Sequence, residues 1–192
     1  MNKAIFLDRD GVLNEIQANK DFYYKGGDII FLPGVFDALK IIKNKGYKIF
    51  VITNQPVIAR GIASIEEIEK LHEFMNKTLT GLIDKFYTCP HHPEMHPDVP
   101  EHAKKYRIAC NCRKPLPGMI FKAAEEFGVD IQKSWTIGDM ITDIACGKAA
   151  GCKTIQVSSP HSIRITKSAM PFDKDIKPDH YAKDLLDATN FI

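Results

Sequence analysis

The sequence predicts an α/β protein, with a doubly wound, mainly parallel sheet packed between two layers of helices. Three observations carry that expectation. Short apolar runs of strand length alternate with segments whose apolar residues recur at helical spacing. Glycine and proline punctuate the switches between them, and several of the apolar runs empty into polar, often acidic, residues. Such alternation implies parallel strands joined by helical crossovers, with helices on both faces.

The first run, Lys3 to Leu7, reads as a buried strand that ends at Asp8-Arg9-Asp10-Gly11-Val12. After Pro33-Gly34 the spacing predicts a helix over Val35 to Lys45, stopped by Gly46, and then a strand over Tyr47 to Ile52 with Thr53-Asn54-Gln55 at its exit. Ser64 and Glu67 form a capping box, and Ile65, Ile68, Leu71, Met75, Leu79 and Leu82 give the long helix that follows an apolar stripe. Lys85 to Thr88 is the third strand. Cys89 to Pro115 lacks periodicity and is dense in Pro, His and Cys, so it reads as an irregular insertion. Pro117 opens a helix through Phe127 with Gly128 as its stop, and Ser134 to Ile137 is a strand whose exit is Gly138-Asp139. A helix over Ile144 to Ala150 closes at Gly151, and Thr154 to Val157 is another strand. The tail from Ser158 carries weaker signals.

A chain of 192 residues is expected to be one domain, 1–192, carrying the loop insertion 89–115. Its composition is ordinary for a globular protein, and a net charge of +2 gives no general pull toward nucleic acid or membrane. No apolar run reaches the roughly 18 residues of a membrane span, and the N-terminus has no leader-like pattern, so a soluble cytoplasmic protein is expected. Five cysteines, an odd number, argue against a disulfide framework. No heptad or unassigned apolar stripe asks for a partner, and a monomer is expected.

The strand exits carry the chemistry. A carboxylate pair separated by one residue, Asp8 and Asp10, can supply a nucleophile and an acid/base where a parallel strand stops. A calcium loop starting at Asp8 would need a Glu at its twelfth position, which is Asn19, and an apolar strand stands where a helix should. In a parallel sheet the exits share one edge, so Asp8, Thr53, Asp139 and Asp143 converge there. Lys114 stands just before a helix start, where a returning chain would bring it to the same edge. That set suits phosphoryl transfer, which needs a nucleophile, an acid/base, a divalent cation and donors for the phosphoryl oxygens. Each residue also has an ordinary reading as a turn, a helix cap or a solvated charge; their joint placement at strand ends favours chemistry.

Cys89-x-His91 and Cys110-x-Cys112 supply three sulfurs and one imidazole, a set suited to tetrahedral zinc. Spacing alone leaves zinc and a loop of reduced thiols both open, and His92, His96 and His102 are alternatives to His91. Cys146 and Cys152, flanking a helix stop, read as buried small hydrophobes. His72, His161 and His180 read as structural or solvated.

Asp8-x-Asp10-Gly-Val12, Thr53, Lys114 and Gly138-Asp139-x-x-x-Asp143 resemble, in order and over most of the chain, the four motifs of the haloacid dehalogenase-like phosphatases. Thr53-Asn-Gln55, Ile58-Ala-Arg-Gly61, Cys89-Pro-His-His-Pro93 and Cys112-Arg-Lys-Pro115 resemble the branch that hydrolyses sugar bisphosphates, with the histidinol-phosphate phosphatases as near relatives. The resemblance implies a Rossmann-like fold, here without room for a large cap domain. It implies Asp8 as nucleophile through an aspartyl-phosphate and Asp10 as acid/base, with Thr53 and Lys114 stabilising the transferred group. Mg²⁺ is then held by Asp8, Asp10 through its backbone carbonyl, and Asp139, with Asp143 behind them. Arg9, Asn54, Gln55, Arg60 and Arg113 are implied to help bind a small phosphorylated sugar. It also implies structural Zn²⁺ on Cys89, His91, Cys110 and Cys112, pinning a loop that delivers Arg113 and Lys114.

Specificity is expected to come from the zinc insertion and from Glu15 to Phe31, where Tyr23, Tyr24 and Lys25 are candidates to cover a sugar. Three departures from the family pattern bear on the substrate. Pro56-Val57 stands where Ser-Gly is usual, and Pro56 offers no N–H to a phosphate oxygen; Met140 replaces a lysine; and the loop after Asn14 is longer. Two rival readings fit the sequence less well. A catalytically silent zinc module has no reason to keep both Asp8 and Asp10. A nucleic-acid end phosphatase is favoured by Lys104, Lys105 and Arg107, but that cluster is small and has acidic neighbours.

Overall fold

A computed structural model describes residues 1–16, 29–93, 99–159, 172, 173 and 175–192. The elements run β1 (Lys3–Leu7), α1 (Val35–Asn44), β2 (Tyr47–Asn54), α2 (Pro56–Ala59), α3 (Ile65–Thr78), β3 (Lys85–Cys89), α4 (Glu101–Lys104), α5 (Gly118–Phe127), β4 (Trp135–Gly138), α6 (Ile141–Ala150), β5 (Lys153–Val157), β6 (His180–Ala182) and α7 (Leu185–Ala188). The six strands pair in parallel in the order β3-β2-β1-β4-β5-β6. Successive connections therefore wind outward from β1 in both directions. The reversal falls between β1 and β4, and in open α/β sheets a crevice for ligands opens outside the strand ends at such a point.

Alternation along β1 decides the two cores. Ile5 and Leu7 face α1, α3 and α7, joining Leu39, Ile42, Leu71, Met75 and Leu185. Ala4 and Phe6 face the other way, joining Phe50, Ile52, Met119, Ile120 and Cys146 from β2, α5 and α6. Because both faces of β1 are buried, its sequence reads as a continuous apolar run rather than an alternating one.

The expected three-layer α/β fold is observed. The Ser64–Glu67 capping box closes in both directions: the Glu67 amide donates to Ser64 Oγ at 3.1 Å and the Ser64 amide to Glu67 Oε2 at 2.8 Å. Some local expectations need correction. Helix α3 ends at Thr78, because Thr80 and Gly81 take positive φ angles of 54° and 74°, so Leu82 lies beyond it. Helix α6 begins at Ile141, three residues earlier than expected, where the Asp143 carboxylate accepts the Met140 amide at 3.0 Å. The insertion contains a short helix, α4, and the tail adds β6 and α7, which contribute Ala182, Leu185 and Ala188 to the core. Tyr23, Tyr24, Lys25, His96 and His161 lie outside the described residues.

Candidate active site

Register puts the acids together. Leu7 pairs with Ile137 across β1 and β4, so the next residues, Asp8 and Gly138-Asp139, emerge side by side at the switch point. The Asp8 amide continues the ladder to the Ile137 carbonyl at 3.0 Å. Two glycines permit the crowding that follows. A Cβ on Gly11, whose φ is +91°, would stand 2.5 Å from Asp139 Oδ2, and one on Gly138 would stand 2.2 Å from the Asp143 Cβ.

Lys114 is buried between two carboxylates, with Nζ 2.7 Å from Asp8 Oδ1 and 2.6 Å from Asp143 Oδ1. Burial alone would push this ammonium down; the Asp143 and Asp8 charges outweigh it and hold it above the ordinary lysine range. The acids feel the opposite pressure. Asp8 is raised to about 7, chiefly by burial, with the Asp143 and Asp10 charges adding to the rise and Lys114 opposing it. Asp139 is raised to about 8, again by burial first and then by the Asp8 and Asp143 charges.

One cation does not balance this site. Oxygens of Asp8, Asp139 and Asp143 lie within 4.8 Å of one another, and the Asp139 carboxylate is fully buried without an ion-pair partner among the described residues. Buried carboxylates left so are costly unless a cation reaches them. The donor set is all oxygen, which fits a hard divalent ion such as Mg²⁺. Asp143 joins this cluster, but one of its oxygens is committed to Lys114 and the other to the Met140 amide.

Asp10 stands apart from that cluster. Its carboxylate receives Arg9 Nε and Nη2 at 2.9 to 3.1 Å, Asn14 Nδ2 at 3.0 Å and Gln55 Nε2 at 3.0 Å. Gln55 also donates to Thr53 Oγ1 at 2.8 Å, so the threonine oxygen is the acceptor there and its own proton can serve another group. Thr53, Gln55 and Asp10 thus form one hydrogen-bonded row at the β1 and β2 exits. Asn54 is tied to the Lys114 backbone, Arg113 donates to the His91 carbonyl at 3.1 Å, and Arg60 is exposed just beyond α2.

Arg9 is completely buried, its guanidinium set against Asp10 and His72 instead of facing a ligand. Two neighbours of this row carry no functional signal in the sequence: Asn14 is an ordinary turn residue, and His72, inside an amphipathic helix, reads as structural or solvated and is found buried against Arg9. Nothing local to position 72 could have marked it, since its partner lies 63 residues earlier.

The insertion gathers its own cluster. Cys89, Cys110 and Cys112 sulfurs are 3.2 to 3.7 Å apart, and His91 Nδ1 is 3.3 Å from Cys112 Sγ and 3.9 Å from Cys89 Sγ. Four ligands around zinc at about 2.3 Å sit on tetrahedral edges of about 3.7 Å, close to this arrangement. The hydrogen bond between Cys112 and Cys89, foremost among several causes, draws Cys112 down to about 5, while Cys89 is pushed far above the thiol range. Such a set of donors fits a soft or borderline cation. His91 belongs to the cluster; His92 is buried beside it, its amide bonded to the Tyr106 carbonyl, and His102 is exposed on α4.

A doubly wound sheet whose switch point gathers acids around one buried lysine defines a hydrolase of the haloacid dehalogenase-like class. A family profile described as HAD-hydrolase-like matches residues 111–188. The D-glycero-beta-D-manno-heptose-1,7-bisphosphate 7-phosphatase of Haemophilus influenzae is 38% identical over 156 residues, covering 80% of this chain and 79% of that protein. The Escherichia coli enzyme of the same name is 35% identical over 154 residues, covering 79% and 76%. The crystal structure of D,D-heptose 1,7-bisphosphate phosphatase from B. bronchiseptica, complexed with magnesium and phosphate, superposes with a TM-score of 0.75 at 27% identity, covering 98% of this chain and 97% of that one. The chain belongs to the family of the D-glycero-beta-D-manno-heptose-1,7-bisphosphate 7-phosphatases.

Proposed function

We propose that this chain, working as one domain, removes the 7-phosphate of D-glycero-β-D-manno-heptose 1,7-bisphosphate through an aspartyl-phosphate. The observation that carries the reading is the Asp8–Lys114–Asp143 chain of ion pairs beside the buried Asp139 carboxylate, which has no ion-pair partner among the described residues. The relatives' names support the substrate and its anomer.

Lys114 and the Arg9 amide both bond Asp8 Oδ1, which leaves Oδ2 to attack phosphorus. Asp10 protonates the leaving sugar oxygen as the P–O bond breaks, then takes a proton from the water that cleaves the aspartyl-phosphate. Lys114, with one ammonium proton beyond those its two carboxylates engage, and Thr53, whose hydroxyl proton Gln55 leaves available, hold the phosphoryl oxygens. Asp8, the Asp10 carbonyl and Asp139 are the groups to hold Mg²⁺, which when bound screens the repulsion between carboxylate and phosphate. Arg113 and Arg60 are the cations to meet the rest of the substrate. Cys89, His91, Cys110 and Cys112 would hold structural Zn²⁺, which would brace the loop ending in Arg113-Lys114.

A cytoplasmic monomer that binds neither nucleic acid nor membrane completes the reading; among the described residues no helix is long and apolar enough to cross a membrane. The test is phosphate release with Mg²⁺ from both anomers of the heptose bisphosphate, from histidinol phosphate and from a 3′-phosphorylated oligonucleotide. The expected result is a marked preference for the β anomer with one equivalent of phosphate released. Comparable slow rates on all four would overturn the substrate, and Pro56, Val57 and Met140 would then be the first positions to examine.

A further inference from the structure

Arg9 sits between the two acids of the first motif, yet its side chain points inward. It is 0% exposed, and its Nε and Nη2 form a fork on Asp10. Its Nη1 lies 3.1 Å from Nε2 of His72, which comes from the middle of α3 and is itself buried. The imidazole is fixed in turn by stacking on Phe86 of the edge strand β3, with ring centroids 4.5 Å apart and planes 14° from parallel. Burial first and the Arg9 charge second hold His72 down to about 2, so the ring is neutral. Arginine has only donors, so Nε2 is the acceptor and the ring proton is on Nδ1.

We propose that His72 and Arg9 are a positioning pair for the acid/base Asp10: His72 accepts one edge of the guanidinium and thereby sets the other edge flush against the Asp10 carboxylate. The inference rests on the acid/base role assigned to Asp10 above. The residue type at 72 follows from the task. A carboxylate there would compete with Asp10 for the buried guanidinium, and a hydrocarbon would leave the Nη1 N–H without this acceptor. A neutral imidazole accepts without drawing the charge away. Asn14 from the same turn and Gln55 from the β2 exit complete the cradle, so Asp10 is held by donors from two segments.

In the first half-reaction the Asp10 proton passes to the leaving alkoxide as its bond to phosphorus breaks. The carboxylate that remains is met by Arg9. In the second half, water oxygen bonds phosphorus, the Asp8–phosphorus bond breaks, and the water proton returns to Asp10. Arg9 and His72 keep their own protons throughout; they decide where Asp10 points, not what it carries.

The test compares single-turnover release of the leaving alcohol from a sugar phosphate and from 4-nitrophenyl phosphate, whose leaving group needs little protonation. His72→Leu is expected to slow the sugar phosphate by about tenfold, a fraction of a full general-acid contribution, with the half-saturating concentration within about twofold. The aryl phosphate is expected to slow by less than about threefold. His72→Gln, whose amide oxygen can accept from Nη1, is expected to restore most of the loss. Retained aryl phosphatase activity shows that each variant is folded. Equal losses on both substrates in His72→Leu, or no rescue by His72→Gln, would overturn the inference, provided Asp10→Asn itself discriminates between the leaving groups. If Asp10→Asn does not discriminate, the acid/base reading fails and the inference falls with it.

Discussion

Asn54 and Lys114 are locked to each other by a reciprocal pair of hydrogen bonds: Asn54 Nδ2 donates to the Lys114 carbonyl at 3.1 Å, and the Lys114 amide donates to Asn54 Oδ1 at 3.0 Å. The side chain at the end of β2 thus clamps the backbone of the residue whose ammonium joins Asp8 to Asp143. Asn54 is in the site as a brace for the lysine.

Removing that brace should move Lys114 without removing it. We expect Asn54→Ala to lower kcat about ten- to a hundredfold, the order that small misplacements of reacting groups cost, with zinc content unchanged. Steady-state kinetics beside metal analysis checks this; wild-type turnover would show that Lys114 is held by its ion pairs alone.

Asp8→Asn keeps the shape of the side chain and deletes the attacking charge. Turnover is predicted to fall by more than about a thousandfold, as losses of nucleophiles do, while the fold survives. Mass spectrometry of acid-quenched enzyme should find a phosphorylated aspartate in the wild type and none in this variant. Residual turnover near wild type would remove Asp8 as nucleophile.

Crowded buried acids outnumbering their one lysine should be relieved by a cation that binds only the folded chain. Mg²⁺ at about 100 times its Kd is expected to add about 2.7 kcal/mol to the stability of the protein. Asp139→Asn should lose most of that increment. Thermal melts with and without Mg²⁺ decide it, and an equal shift in both proteins would place the ion elsewhere.

Zinc and substrate binding should prove linked through one hydrogen bond, since Arg113 Nη1 donates to the carbonyl of His91, a residue of the Cys/His cluster. Chelation is therefore predicted to raise KM as well as to lower the melting temperature, and readdition of Zn²⁺ should restore both. Full turnover and an unchanged KM in metal-free loop protein would break the link.

Acid should weaken the fold through His72. Its folded pKa is depressed to about 2 from 6.5, so between those values the unfolded chain binds more protons than the native one. Stability is then complete above about 6.5 and falls as the pH drops below it, by up to about 1.4 kcal/mol per pH unit from this group. Denaturant titrations between pH 7 and pH 5 should show a shallower acid decline in His72→Gln than in the wild type. Parallel declines would mean that His72 escapes burial before it protonates.

The parts of the fold legible in the sequence are those whose cause is local. Lys3 to Leu7 reads as a buried strand because a stretch covered on both faces must be apolar throughout, and Ser64 with Glu67 marks a helix start because the capping box is complete within four residues. The short pieces α2, α4, β6 and α7 escaped because three or four residues carry too little period to register. They are held by neighbours: α7 buries Leu185 and Ala188 against the core, and a Cβ on Gly61, at the end of α2, would stand 2.7 Å from Pro100 beside α4.

For the site the division is similar. Which chemistry is on hand can be read along the chain: acids, a threonine and a lysine at strand exits, and thiols with an imidazole in one insertion, because motif spacing and strand ends are written in order. How those groups face one another was settled by folding. Strand register set Asp8 beside Asp139, Lys114 came back across 106 residues to Asp8, and Arg9 turned inward to meet His72. Orientation of this kind depends on burial and on partners far away in the chain. A guanidinium next to two acids can face solvent or core, and packing against α3 and β3 chose the core.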